Sequence, residues 1–277
     1  MSKLLTPAQL QSWRDKGYAN PFTAFDARLA QQYRDKLQAL ERHSGGKLPD
    51  DRQRKMHLYL QWVDEIVHNR HVLDAVEDLV GPDILLYHIT LWSKDAHTAS
   101  HVSWHQDSTY FGLNPAEHVT AWLALSDSNM LSGCVQVLPG SHLRGQARHK
   151  VGVAQANMLR GQELDVPEDA QVEIMEVRPG QFSLHHTYLH HNSMPNRSDD
   201  RRIGLGISYI PTRCACSARQ RLSAMLVRGV DRFGHFDLEK RPTTDMAPEG
   251  LAEHAEAMRR WHAARDELIA QAHAETA

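Results

Sequence analysis

Short apolar segments separated by turn residues fill the middle of the chain, and they limit the fold more than any other feature of the sequence. The segments are rich in Val, Ile, Leu and aromatic residues and lie at 84–92, 119–125, 134–138, 172–177, 181–185 and 203–210. Turn residues separate them, as at Pro139-Gly140 and Pro179-Gly180. Many short strands with turn signals between them are typical of a β-sandwich or barrel. The pattern therefore predicts a mostly β protein with a double-stranded β-helix core, of the jelly-roll or cupin-like kind.

Helical patterns flank this region on both sides. Thr6 begins a capping-box pattern, and Gly17 is placed to end the helix that follows. A longer helix is expected to open at Asp26, and apolar residues at helical spacing recur over 58–80. Residues 248–274 return to the same pattern after the strands. We expect this last helix to pack on the domain or to form the contact of a homodimer.

The order of these patterns predicts one domain over residues 1–277. Residues 1–82 are expected to be mainly helical support, 83–212 the jelly-roll core with the active site, and 213–277 a C-terminal extension with a helix. The polar segment 145–170 interrupts the strands. A loop of that length is often a lid or a substrate loop, and a solvated insertion is the alternative.

Composition narrows the class of protein. The chain has 277 residues and a formal net charge of -3, so it has no bulk attraction for nucleic acid or an anionic membrane surface. We find no apolar run of the roughly 20 residues that a membrane span needs, and no signal-peptide pattern at the start. The three cysteines form no CxxC motif, which argues against a disulfide framework and a structural zinc site. We therefore expect a cytoplasmic protein with a small-molecule substrate.

His105 and Asp107 are the first candidate metal ligands. They stand two residues apart, and in an extended strand such residues point to the same face. An imidazole and a carboxylate on one face can bind one metal ion, and a second His would complete the two-His, one-carboxylate set of non-haem Fe(II) oxygenases. The His-x-Asp pair alone is a weak signal, because the chain contains 19 His residues.

The second His must come from a later strand, where several candidates are close together. They are His185, His186, His190 and His191. Arg201 and Arg202 follow at the start of the 203–210 segment. A guanidinium suits the distal carboxylate of 2-oxoglutarate, because its planar fork meets a carboxylate through two hydrogen bonds.

Three stretches in a fixed order give the chain its resemblance to a known family. They are Trp104-His105-Gln106-Asp107, then Gly133-Cys134 leading to Leu138-Pro139-Gly140-Ser141-His142, and Pro179-Gly180 through His191-Asn192-Ser193 to Arg202. The chain resembles the phytanoyl-CoA dioxygenase (PhyH) family of Fe(II)/2-oxoglutarate-dependent oxygenases, in particular a bacterial hydroxylase branch. The resemblance covers about residues 84–212, and the order and spacing of the motifs make it specific.

The resemblance implies cofactors and the residues that bind them. Fe(II), 2-oxoglutarate and O2 are the implied cofactors. The implied metal ligands are His105, Asp107 and His191, and the implied cosubstrate contacts are Arg202, Ser193, Trp122 and Thr90. Because Asp107 stands where halogenating relatives carry a small residue, the resemblance implies hydroxylation with release of succinate and CO2.

The substrate is less well defined by the sequence. Tyr110, Lys94, Gln136, His118 and Tyr209 are candidate substrate contacts, and each has a structural alternative as a packed or solvated side chain. The branch that the chain resembles includes hydroxylases of small aminoalkylphosphonates, so a small polar metabolite is the expected substrate. The alternatives are a non-redox metal-dependent enzyme and a catalytically inactive ligand-binding protein on the same scaffold.

Overall fold

The computed structural model describes residues 2–151, 155–159 and 162–274. Its α-helices are α1 (Pro7–Lys16), α2 (Ala27–His43), α3 (Gln61–Val67), α4 (Arg70–Val80), α5 (Ser108–Phe111) and α6 (Pro248–Ala274). Short 3-10 helices lie at Asp50–Gln53, Met56–Leu58 and Ser141–Arg144. The strands are β1 (Tyr18–Thr23), β2 (Ile84–Lys94), β3 (Val102–His105), β4 (Leu113–Asn114), β5 (Val119–Ala124), β6 (Val135–Val137), β7 (Lys150–Val151), β8 (Gln162–Glu163), β9 (Glu173–Met175), β10 (Gln181–His186), β11 (His191–Ser193), β12 (Arg202–Pro211), β13 (Ala215–Cys216), β14 (Ser223–Arg228) and β15 (Asp237–Leu238).

Two sheets form the core. The larger sheet has the order β1-β10-β5-β12-β2-β14-β15, and the smaller has the order β3-β11-β6-β9. A buried apolar cluster joins Trp122 and Ala124 of the larger sheet to Val135, Val137 and Met175 of the smaller one. Side chains that alternate along each strand thus meet between two sheets, as in a jelly roll. The predicted double-stranded β-helix core is confirmed.

The helices cover the other face of the larger sheet. The main core cluster contains Val63 of α3 and Val76 of α4 together with Ile89 of β2 and Leu205 of β12. On β2 and β12, alternate residues therefore face the helices, while those between them face the smaller sheet. This arrangement buries β12 on both faces, so apolar residues and glycines make up most of the strand.

Helix boundaries follow the capping signals. The Thr6 side chain accepts a hydrogen bond from the Gln9 backbone N–H in a capping box. Helix α1 ends at Gly17, whose φ of 83° lies in the left-handed region that favours glycine. A side chain there would also strike the His142 ring, since an added Cβ would lie 2.5 Å from Nδ1. Asp26 caps α2 by accepting from the Leu29 N–H at 2.8 Å.

The larger sheet extends beyond residues 83–212, the predicted core. Strand β1 comes from the segment that was expected to be mainly helical, and β14 and β15 come from the C-terminal extension. Pro21 interrupts the strand pattern of β1, and a register shift between Ala19 and Phe22 accommodates it at the sheet edge. The domain boundaries at 82 and 212 stay a prediction, but both flanking segments contribute strands to the sheet.

Helix α6 packs on the domain. Met258 and Trp261 lie in a buried cluster with Tyr87, Phe111 and Phe236. The indole of Trp261 stacks on the imidazole of His88 with ring centroids 4.2 Å apart. In the described part of the chain, no helix is both long enough and apolar enough to cross a membrane.

Candidate metal centre

His105, Asp107 and His191 converge between the two sheets. Strands β3 and β11 pair antiparallel, and their register places His191 opposite His105. Asp107 lies two residues beyond the end of β3, at the start of α5, and Oδ1 of its carboxylate lies 3.7 Å from Nε2 of His105 and 3.7 Å from Nε2 of His191. One ligand atom from each residue lies within 4.8 Å of the others. This spacing allows one ion to contact all three atoms.

The hydrogen bonds of the two imidazoles fit them for metal binding. Nδ1 of His105 lies 2.9 Å from the Ser103 carbonyl oxygen, and Nδ1 of His191 lies 2.9 Å from the Leu189 carbonyl oxygen. A carbonyl oxygen only accepts, so each Nδ1 carries the hydrogen and each Nε2 presents its lone pair toward Asp107. Backbone carbonyls that orient a ligating His in this way are characteristic of metal sites.

The second carboxylate oxygen of Asp107 is held from the larger sheet. Thr120 of β5 donates its hydroxyl to Oδ2 at 2.6 Å, and Nε2 of His185 lies 3.3 Å from the same oxygen. Thr120 and His185 are opposite each other in the β5–β10 register. Because the carboxylate only accepts, Nε2 of His185 carries a hydrogen and cannot ligate a metal in this arrangement. The two donors leave Oδ1 facing the pair of histidines.

A chain of hydrogen bonds stands behind Thr120. Since the Thr120 hydroxyl donates to Asp107, its oxygen accepts from Nε2 of His118 at 3.0 Å. Nδ1 of His118 then accepts from the Thr187 hydroxyl at 3.1 Å. Each hydrogen in the chain points toward Asp107, which stabilises the ionised carboxylate.

The protonation states suit a cation. Burial works against ionisation of Asp107, but the surrounding histidines, with a hydrogen bond from Nε2 of His185, outweigh it and hold its pKa well below the usual range. Burial, together with the neighbouring His105 and His185 rings, holds the pKa of His191 well below its usual range. At neutral pH the site therefore offers a carboxylate and a neutral imidazole, which are the forms that bind metals.

Arg202 occupies the same cavity beside the three residues. The cavity is lined by His105, Asp107 and His191 and also by Trp122, Ser193 and Arg202. Arg202 is 1% exposed; its Nη1 donates to the Gly133 carbonyl oxygen at 2.8 Å, and its Cζ lies 5.1 Å from the centre of the Trp122 ring. Among the described residues, Nε of Arg202 has no hydrogen-bond partner and the guanidinium has no carboxylate partner. A buried cation of this kind fits an anionic ligand.

The glycines of β12 make room for the cavity wall. An added Cβ at Gly204 would lie 2.2 Å from Cζ2 of Trp122, and one at Gly206 would lie 2.9 Å from Nε1 of Trp92. Both indoles line the cavity. The two glycines therefore let the aromatic rings lie flat across β12.

The structure brings some of the candidate substrate residues near the site and separates others from it. Lys94 lies beside Ser193 rather than in the open cavity, and His118 lies behind Thr120. Gln136 stands between Val135 and Val137, of which Val135 lines the cavity, so its side chain is on the opposite face of β6. The side chain of Tyr110 lies outside the described residues.

Tyr209 and Thr90 do not line the cavity. Tyr209 is fully buried against the helices and its hydroxyl donates to the Val67 carbonyl oxygen at 2.9 Å, so its predicted substrate contact is corrected to a packing role. Thr90 lies on the same face of β2 as Trp92, two residues away, and forms an isolated bridge with Arg54.

Gln106, which stands between the two predicted ligands, binds the start of the 145–170 segment. It is fully buried, and its Nε2 donates to the carbonyl oxygens of Gly145 at 2.8 Å and Tyr188 at 2.7 Å. Its Oε1 accepts from the Ala147 N–H at 2.8 Å. Nε2 of His149 accepts from the Gln106 N–H at 3.0 Å. The start of the 145–170 segment is thus bound to the metal-binding motif, while residues 152–154 and 160–161 lie outside the described residues.

Thr120 and Gln106 were not assigned a role from the sequence, and His185 appeared there only as one of four candidates for the second metal-binding His. Thr120 and His185 lie on strands far apart in the chain, and their sequence contexts are those of ordinary core strands. Only the β5–β10 register places both beside Asp107. For Gln106 the sequence offered one signal. In an extended strand, the residue between His105 and Asp107 points to the opposite face.

Comparison with known proteins identifies the family. Residues 3–204 match the phytanoyl-CoA dioxygenase (PhyH) family. The chain therefore belongs to this family of Fe(II)- and 2-oxoglutarate-dependent dioxygenases, and Fe(II), 2-oxoglutarate and O2 are the cofactors of its class.

Individual relatives and solved structures agree with this family. The chain is 24% identical over 221 residues to a probable alpha-ketoglutarate-dependent hypophosphite dioxygenase of Stutzerimonas stutzeri, which covers 73% of this chain and 77% of the relative. It is 32% identical to the solved non-heme monooxygenase ThoJ, with a TM-score of 0.84 over 94% of this chain and 98% of ThoJ. CytC3, solved with Fe(II) and alpha-ketoglutarate, shares the fold at 20% identity and a TM-score of 0.67, over 88% of this chain and 97% of CytC3.

Proposed function

We propose that this enzyme hydroxylates an unactivated C–H bond of a small polar metabolite and releases succinate and CO2. His105, Asp107 and His191 would hold Fe(II), and Arg202 with Ser193 would bind the distal carboxylate of 2-oxoglutarate. One observation carries the proposal: two imidazole lone pairs and a carboxylate oxygen converge in a cavity that also contains a buried guanidinium without a counter-ion among the described residues.

The residues of the chain have separate tasks in this reaction. Together, the bound metal, cosubstrate and O2 supply an oxidant able to attack a C–H bond. The backbone carbonyls of Ser103 and Leu189 keep the Nε2 lone pairs of His105 and His191 available. Thr120 holds the carboxylate of Asp107 so that one oxygen faces the ion. Three protein ligands leave three positions of an octahedral ion open for cosubstrate and O2.

The enclosed position of the site supports a small substrate. His105 is 4% exposed and His191 is 7% exposed, so a large molecule has little access to the ion. Gly145 and Ala147 are bound to Gln106, the residue next to His105 in the chain. The S. stutzeri relative is described as acting on hypophosphite, a small phosphorus oxyanion. We propose small phosphorus-containing anions, including aminoalkylphosphonates, as the first class to test.

Succinate release tests the proposal. Purified enzyme is loaded with Fe(II) under argon, mixed with 2-oxoglutarate and one candidate substrate, and exposed to O2. We expect succinate to form only with Fe(II) and O2, and to increase with an accepted phosphonate. His105→Ala should abolish it, because the remaining two ligands cannot hold the ion in place.

The rival functions predict other results. A non-redox metal enzyme would consume a substrate with Zn²⁺ or Mn²⁺ in the absence of O2, and an inactive binding protein would give no succinate with any metal. Failure of the Fe(II)-loaded protein to convert 2-oxoglutarate, with or without a candidate substrate, would overturn the proposed function.

A further inference from the structure

Lys94 and Arg202 form a buried pair of basic side chains. They are directly opposite in the antiparallel β2–β12 register, and each is 1% exposed. Like charges directly opposite on one face of a sheet destabilise it, and a buried charge costs more when it is unpaired. Among the described residues, neither side chain forms an ion pair with a carboxylate. The fold therefore places two basic groups together without an acidic partner of its own there.

In the ammonium form of Lys94, all three donors are used. They reach the Ser193 hydroxyl oxygen at 2.7 Å, the Ser193 carbonyl oxygen at 3.1 Å and the carbonyl oxygen of Met194. Lys94 therefore has no donor left for a ligand in the cavity. An ammonium cannot accept, so the Ser193 oxygen accepts and the Ser193 hydroxyl hydrogen is free for another partner. Ser193 and Arg202 line the same cavity, which places that partner there.

We propose that Lys94 is a positioning residue for 2-oxoglutarate, which turns the Ser193 hydroxyl into a donor and adds a second positive charge at the distal carboxylate. The inference rests on the proposed cosubstrate site at Arg202 and Ser193 and deepens it. Its consequence is selectivity: the pocket should distinguish a dicarboxylic 2-oxo acid from a monocarboxylic one of equal length.

The charge of Lys94 depends on an anion in the cavity. Burial, followed by the charge of Arg202, lowers the pKa of Lys94 to about 6. Burial also lowers the pKa of Arg202 to about 10. A carboxylate in the same cavity raises the pKa of both groups, because a nearby negative charge favours the charged form of a base. The anion would then hold Lys94 as the ammonium, the form that frees the Ser193 hydrogen.

Binding of two 2-oxo acids tests the role. The affinities of 2-oxoglutarate and of 2-oxopentanoate, which has the same chain length and no distal carboxylate, are measured by calorimetry on the anaerobic Fe(II)-loaded enzyme. Lys94→Met keeps an unbranched side chain close to the aliphatic part of Lys and removes every donor. We expect it to weaken 2-oxoglutarate by about 10- to 100-fold, as for loss of a charge-assisted hydrogen bond, and to leave 2-oxopentanoate within about twofold.

Arg201 supplies a matched control. It precedes Arg202, but its guanidinium binds Glu41, with Nη2 donating to Oε1 at 2.8 Å. The double variant Arg201→Met, Glu41→Gln removes a neighbouring cation without leaving a charge unpaired. We expect both affinities to stay unchanged in it.

Further variants separate the outcomes. If Lys94→Met lowers the melting temperature so far that binding cannot be measured, Lys94→Gln, which keeps one donor for Ser193, replaces it and should lose less selectivity. In a Ser193→Ala background, Lys94→Met should reduce the affinity for 2-oxoglutarate less than it does in the wild type.

Equal weakening of the binding of both 2-oxo acids, or no weakening, overturns the positioning role. Arg202→Met tests the site itself: if it too leaves 2-oxoglutarate binding unchanged, the proposed function has failed rather than the role of Lys94.

Discussion

The hydroxyl of Thr120 lies 2.6 Å from Oδ2 of Asp107, the carboxylate oxygen that does not face the paired imidazoles. Thr120 belongs to the larger sheet, whereas His105 and His191 belong to the smaller one. This hydrogen bond therefore joins the two sheets at the candidate metal centre. It fixes which oxygen of Asp107 is presented to the ion.

Replacing Thr120 by Val tests that contact. The substitution keeps the shape of the side chain, removes the donor to Asp107 and leaves Nε2–H of His118 without its acceptor. We expect Fe(II) affinity to fall by about 10- to 100-fold, the usual effect of losing an outer partner of a metal ligand. Anaerobic calorimetry measures the change.

Thr98→Val is a control for Thr120→Val. Its hydroxyl bonds to Ser100 in a loop outside the cavity, so metal affinity should not change. Unchanged metal affinity in Thr120→Val would show that Asp107 keeps its orientation without the Thr120 hydroxyl.

The acid stability of the metal-free protein should depend on His118. Burial lowers the pKa of His118 to about 4, below the ordinary value of 6.5. Between these two values the unfolded chain binds a proton at His118 and the folded protein does not. The contribution of neutral His118 to the free energy of unfolding is therefore fully present above pH 6.5 and is lost as the pH falls toward 4. The loss amounts to about 3 kcal/mol over that window, at about 1.4 kcal/mol per pKa unit.

Urea denaturation in the presence of a chelator measures this slope. His118→Gln keeps one donor and one acceptor but does not titrate, so its free energy of unfolding should fall less steeply between pH 6.5 and pH 4 than that of the wild type. Parallel slopes for the two proteins would contradict the assignment to His118.

The candidate metal ligands could be predicted where the sequence signal was local. Alternation along a strand put His105 and Asp107 on one face, and the resemblance to the PhyH family selected His191 among four neighbouring histidines. The structure brings these three residues together. The jelly-roll core was likewise predictable, because each strand carries its own pattern of apolar and turn residues.

Long-range register explains what the sequence could not provide. Lys94 resembles a solvated lysine at the end of a strand until β12 is placed beside β2, which sets it opposite Arg202. Thr120 and His185 become partners only through the β5–β10 register. Strand β1 was missed because Pro21 breaks a pattern that tertiary pairing with β10 restores.

Tyr209 offers a direct test of the corrected role. Its hydroxyl donates to the Val67 carbonyl oxygen at the interface between β12 and the helices. Tyr209→Phe leaves that buried carbonyl without this donor, so we expect a loss of about 1–2 kcal/mol in the free energy of unfolding. Succinate release with saturating substrates should stay within about twofold, because a buried packing change of this size leaves the reacting groups in place. A specific loss of activity at unchanged stability would restore Tyr209 as a substrate contact.

Gly204 leaves room for the Trp122 ring, and this ring in turn packs against the guanidinium of Arg202. Gly204→Ala would place a methyl group 2.2 Å from Cζ2 of Trp122, so the ring must move from β12. The guanidinium of Arg202 lies 5.1 Å from that ring and depends on it for packing. We therefore expect 2-oxoglutarate affinity to fall by about tenfold or more, a loss of at least about 1.4 kcal/mol. Fe(II) affinity should change little, because Gly204 pairs with Trp92 and Ala124, neither of which is a candidate metal ligand.

A compensating substitution distinguishes this steric effect from general destabilisation. Trp122→Phe removes the part of the ring that the new methyl group would strike. If the contact with Trp122 is the cause, Gly204→Ala should cost less 2-oxoglutarate affinity in a Trp122→Phe background than in the wild type, which calorimetry on all four proteins can measure. Additive losses would mean that the methyl group acts on β12 itself, by disturbing its pairing with β2 and β5, and that Trp122 does not transmit the effect to Arg202.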